Sequence, residues 1–306
     1  MEGYDEEKAK TELQLWIKER SNAEHSKANI CTLLQDTTAV HSLVCGSPCA
    51  WRLVSSINEP EEVVFKLQGI IIASELPPFV KAPGRRTITG VLRQGVTLTG
   101  FGIPEFDNAV SGIKIGDLLL KRNVPIQGLE TLNCIGEFHG SQTLHISNRY
   151  FTPRRIAGGE AAVEISQEVD PHGILRRTPQ QDFIHTRENV VEYERCRSEE
   201  KRNLHFEPVS PAIFRVGDLV EVQLTLMMVN PGRSLYKTVP ILRSVTLLDD
   251  HFSKQVELHA LCKSSSRRGP LILKSTAFLK RKAGNWDETE GTTTKQLRKM
   301  DIAADT

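Results

Sequence analysis

The residues best spaced for chemistry are His41, Cys45 and Cys49, with three residues between successive members and Cys31 upstream as a fourth. A structural zinc site takes four thiolate or imidazole ligands, with roughly two to four residues between paired thiolates. This set reaches four only by drawing Cys31 from a different stretch, and it sits in a Gly- and Pro-containing turn. Small buried cysteines are the better reading, and no metal is assigned. Hydrolytic or transfer chemistry finds less support. No Gly-x-Ser-x-Gly occurs, and "GRRTITG" and "RIAGGEA" lack the spacing of a phosphate-binding loop. Carboxylates fall singly, and the nine histidines are scattered. His139 and His145, six apart, share one face if the chain between them is a strand, and a structural role fits both. No enzyme is expected, and no cofactor.

The 306 residues carry 39 basic and 38 acidic groups, so overall charge argues for no particular partner. Distribution is more informative: residues 1–61 hold 6 basic and 10 acidic groups, whereas residues 208–306 hold 15 and 10. An anionic partner for the later half is the implied direction. Six cysteines in a chain this long suggest a reducing compartment rather than a disulfide framework. The first 30 residues lack a basic start followed by an apolar run, and runs such as "VQLTLMMV" fall far short of a membrane span. The expectation is an intracellular protein, nuclear or cytoplasmic, without a membrane partner.

The elements that would position a site are mostly strands. "DEEKAKTELQLWIKER" (5–20) runs from acidic to basic and sets Ala9, Leu13, Trp16 and Ile17 near one face, which predicts a helix. The rest of 1–61 reads as loop, with a strand near Trp51–Val54. "VVFKLQGIIIAS" (63–74) reads as a long strand curled at Gly69, "RRTITGVL" (85–92) and "VTLTGFGI" (96–103) as a hairpin, and 104–113 as a short helix. A fourth strand is expected over 115–123, opened by Gly116-Asp117, and a fifth within 133–147. Residues 151–210 are charge-dense and read as a connector with a short helix at 186–201. Pattern returns with a hairpin over 214–229 and 234–249 around Asn-Pro-Gly, then strands at "KQVELHALCK" and "PLILKSTAFLK". This makes a mostly β chain with a short N-terminal helix (1–61), a barrel (62–150), a connector, a C-terminal β module (211–282) and a disordered tail (283–306).

Three strands, a helix and two strands, with Phe65, Gly69 and Ile72 on a curled first strand, Phe101-Gly102, Asp107 and Gly116-Asp117, give residues 63–147 a recognisable layout. It resembles the single-strand-binding OB domains of the replication protein A type, which are five-stranded barrels. The C-terminal stretch, through Phe214, Gly217, Asp218 and Leu242-Arg243-Ser244, resembles an uncharacterised fungal protein family that implies no activity.

The OB resemblance implies single-stranded DNA or RNA as partner, held by cations on phosphates and by rings on bases. The residues at the implied face are Phe79, Lys81, Arg85 and Arg86 after the first strand, and Phe101 on the third. Lys121 and Arg122 end the fourth strand, and Phe138 and His139 begin the fifth. Phe101 and Phe138 are equally readable as core. Lys263–Lys282, with seven cations and no acid, reads either as phosphate contacts or as a charged sheet edge. A protein–protein scaffold using the barrel or that edge is the rival function.

Overall fold

The computed structural model describes residues 3–21, 29–45, 50–55, 60–80, 92–122, 124, 128–177, 181–199, 203–232 and 235–267. Helix α1 (Glu6–Ser21) opens on Glu6 and Glu7 and closes with Lys18 and Arg20, charges that complement its dipole. Ala9 and Leu13 are buried, with Trp16 and Ile17 packed beside them, so the predicted face is the inner one. Strands β1 (Val40–Cys45) and β2 (Ala50–Ser55) form an antiparallel hairpin. The expected first long strand is β3 (Phe65–Ser74). Gly69 admits the Phe106 ring and Leu98 against the strand, while the register break with the next strand falls between Ile71 and Ala73.

Strand β4 (Arg93–Thr99) leads through a left-handed turn at Phe101 and Gly102 into α2 (Pro104–Lys121). Here the sequence expectation fails. The pattern of 115–123 predicts a strand, but the helix runs through to Lys121. Phe106, Ala109, Val110, Ile113, Asp117 and Leu120 make one buried stripe at helical spacing. Gly116 is no turn residue: it lies against Leu226, which a side chain there would overlap. Asp117 is tied to Lys121 one turn on, at 2.7 Å.

The expected fifth strand is two strands. β5 (Ile135–Phe138) and β6 (Ser141–Arg149) pair across His139 and Gly140, both at positive φ (49° and 78°), as a two-residue hairpin turn requires.

The connector is structured. β7 (Thr152–Pro153) pairs with β8 (Phe183–Ile184), and α3 (Ile174–Arg177) lies between them. Tyr150, Phe151, Ile165 and Leu175 form a second small core. Instead of a helix at 186–201 there is a short 3-10 turn, Arg187–Asn189, followed by β9 (Glu192–Glu199) and β10 (Asn203–Pro208). Val191 and Tyr193 point inward at strand spacing once β9 pairs beside the last long strand.

β11 (Leu219–Gly232) and β12 (Leu235–Asp249) are the hairpin that Asn-Pro-Gly predicts. The expected strand at "KQVELHALCK" is instead part of helix α4 (His251–Arg267), whose first turn is capped by Asp249 accepting from the His251 N–H at 2.7 Å. "PLILKSTAFLK" and the tail lie outside the described residues.

One large sheet runs β1-β2-β11-β3-β4-β6-β12-β9-β10, with β5 on β6. Because β11 also pairs with β12, five strands close on themselves: β3, β4, β6, β12, β11 and back to β3. Within this ring the β6–β12 contact is parallel and the other four are antiparallel. Two of the five strands come from beyond the connector. The expected barrel confined to 62–150 and the separate module at 211–282 are therefore not how the strands pair. Residues 1–262 form one compact unit.

Candidate nucleic-acid interface

The anticipated contact residues that are described do not form one face. Phe101 is 5% exposed, packed between Tyr4 and Phe138 at ring-centre distances of 6.0 and 6.4 Å. Phe138 is half-buried with His139 stacked on it at 4.0 Å, and His139 stands in the β5–β6 turn 3.6 Å from Glu6. Phe79 belongs to the second core, edge-on to Tyr150 at 5.8 Å. Lys121 is spent on Asp117, and Arg122 is exposed just past the end of α2 rather than at the end of a strand. Lys81, Arg85 and Arg86 lie outside the described residues. Of the described residues, the structure gathers Phe101, Phe138 and His139 and leaves Phe79, Lys121 and Arg122 apart from them.

Of the metal candidates, His41 is exposed on β1, Cys31 is half-buried, and Cys49 lies outside the described residues. Among the described residues no three His, Cys, Asp or Glu side chains are grouped to hold a metal ion. No helix there is long and apolar enough to cross a membrane.

A different site emerges on the ring. Three adjoining recesses, of about 430, 250 and 230 Å³, share lining residues and make one groove. The first and second share Arg149, Ile156, Glu188 and Met227. The second and third share Arg93, Lys237 and Val239. Arg93 opens β4 and Arg149 closes β6, and the antiparallel register sets them directly opposite one another. Lys237 reaches the groove from β12. None of these three cations makes an ion pair among the described residues. Burial lowers the pKa of Arg93, and burial followed by the Arg93 charge lowers that of Arg149. Both stay protonated at any physiological pH, so like charges oppose each other across the two strands; Glu188 and Glu160 favour the Arg149 charge without pairing with it.

Along one side the groove meets a neutralised network. Arg52 on β2 bonds Glu62 at 2.6 Å and Glu188 at 2.9 Å, and Arg243 on β12 bonds the same two carboxylates at 2.8 and 2.9 Å. Burial opposes ionisation of Glu188, but the Arg52 hydrogen bond and the charges of both arginines outweigh it and hold its pKa low. This box fixes the β1–β2 hairpin and the Arg187–Asn189 turn to β12. Outside this network the described lining holds three cations, Arg93, Arg149 and Lys237, against one carboxylate, Glu160, which leaves the groove net positive.

Such an arrangement can bind an anion, with two forked donors, a lysine and aliphatic walls from Ile156, Met227 and Val239. Reading the residues singly misses it, because Arg93 and Arg149 are neighbours only through strand register. No protein-family model and no curated protein matches the chain.

Proposed function

We propose that the protein is a noncatalytic binder of single-stranded nucleic acid, held along the groove that crosses β4, β6 and β12. The observation that carries this reading is the Arg93–Arg149 pair. Like charges set directly opposite on neighbouring strands disfavour the fold, and among the described residues neither makes an ion pair, although Glu188 and Glu160 lie near enough to Arg149 to favour its charge. A phosphate supplies what the fold omits.

The ring supports an OB-like reading. Its second and third strands are β4 and β6, the face on which OB barrels carry oligonucleotides, and the β11–β12 hairpin borders it. A departure is the helix α2, which lies between the second and third ring strands rather than between the third and fourth.

Fluorescence anisotropy of a labelled oligonucleotide across a salt series tests the proposal. Binding should weaken steadily as salt rises, and an Arg93→Ala/Arg149→Ala double variant should lose about tenfold or more at low salt. Absence of binding at low salt ends it. In that case a stoichiometric protein recovered despite nuclease treatment would establish the scaffold reading instead.

A further inference from the structure

Single-strand binders commonly combine a cationic track with aromatic platforms on which bases stack. This groove has the first without the second. None of its described lining residues is Phe, Tyr or Trp. Elsewhere among the described residues, no aromatic side chain stands with the exposed large apolar ones. Trp51 is edge-on to Tyr236 at 5.5 Å, and Phe79 and Phe101 are engaged as described above. The internal stretches outside the described residues contain no Phe, Tyr or Trp in their sequence; only the segment after Arg267 does, with Phe278 and Trp286. Among the described residues, the one planar ring in the lining is the imidazole of His145, and its Nδ1 is tied to Thr97 Oγ1 at 3.2 Å.

What the groove does present suits a backbone. The two opposed guanidiniums offer several N–H donors to one tetrahedral anion, and Lys237 on the adjoining strand offers a point charge to the next. Ile156, Met227 and Val239 supply apolar surface without a planar face to order a base.

We infer that the groove seats the sugar–phosphate backbone and not the bases, with one phosphate held between Arg93 and Arg149 and a neighbouring one at Lys237. This rests on the nucleic-acid reading above and narrows it: recognition is indifferent to sequence and to the presence of bases.

The test compares an oligo-dT with an abasic deoxyribose-phosphate strand of equal length, both binding the full-length protein at low salt. Backbone seating predicts affinities within about threefold of each other, and a slope of log affinity against log salt near −2, about 0.7 per cation for three cations. Arg93→Ala should reduce that slope by about 0.7, and His145→Ala should leave affinity unchanged. Each stacked base would be worth roughly 5- to 150-fold. Loss of tenfold or more on the abasic strand, or on His145→Ala, therefore overturns the inference while the nucleic-acid reading stands. If neither strand binds, both fail together. Circular dichroism of each variant separates lost contacts from lost fold.

Discussion

Arg93 and Arg149 are register partners across β4 and β6, and each lacks an ion pair among the described residues. Their proximity opposes folding and favours an anion, so stability and binding should move in opposite directions. Arg93→Gln or Arg149→Gln removes the like-charge contact and keeps hydrogen-bonding capacity. Either change should raise stability by about 0.2–1 kcal/mol in urea unfolding at low ionic strength. The same change should weaken oligonucleotide binding. A variant that destabilises the protein and binds normally would show the pair to be structural.

Arg20 and Glu221 make the opposite kind of pair. Their fork-to-carboxylate contact has both bonds at 2.7 Å, their side chains are 8% and 2% exposed, and Gln68 donates to the same carboxylate. The guanidinium also lies 5.1 Å from the centre of the Phe206 ring. Burial disfavours the Glu221 charge, and Arg20, helped by Gln68 and Lys66, more than offsets this. Arg20→Ala would strand a buried carboxylate, at about 3–5 kcal/mol in urea unfolding. Arg20→Met with Glu221→Leu should recover most of that loss. If the double variant is as unstable as the single one, the pair is not what docks α1.

Gly112 tests the corrected helix by sign. In an ordinary helix interior Gly→Ala stabilises by roughly 0.5–1 kcal/mol. Here a Cβ would sit 2.5 Å from the Ile30 carbonyl oxygen, a backbone atom of the turn that packs on α2. Gly112→Ala should therefore destabilise by about 1–3 kcal/mol, read as a lowered urea midpoint. A raised midpoint would mean that α2 does not approach Ile30 so closely.

What the sequence revealed was local. The charge order of residues 5–20 suffices for α1, and Asn-Pro-Gly between two apolar runs suffices for the β11–β12 hairpin. What it concealed was long-range pairing. Leu219 to Ile70 and Ile241 to Ser147 are the contacts that close the ring, and no local periodicity encodes them. Gly116-Asp117 and Gly217-Asp218 look alike as dipeptides. The first is inside a helix against Leu226, while the second is in a turn with Gly217 at φ 97°. Packing decides between them. The groove was hidden for the same reason: Arg93 and Arg149 belong to one site only after β4 and β6 are in register.

Asp218 gives the clearest pH dependence. It is fully buried at the start of β11, accepting from the Ser253 hydroxyl and, at 2.7 Å, from the Arg215 backbone N–H. Burial raises its pKa from 3.8 to about 6, the two hydrogen bonds hold it from rising further, and Asp250 adds to the rise. The folded state thus binds the proton more tightly than the unfolded chain. Its contribution to stability is fully present below the unfolded value and is lost as pH climbs through the folded one. A shift of this size corresponds to on the order of 3 kcal/mol. Asp218→Asn keeps a neutral side chain that can accept from Arg215 and donate to Ser253. Relative to the unmutated protein, the variant should therefore gain stability progressively between about pH 4 and pH 7. Taking the difference between the two proteins at each pH cancels the titration of every other group. Urea unfolding of both across that range is the measurement, and a difference that does not change with pH would mean Asp218 is ionised as readily in the fold as in water.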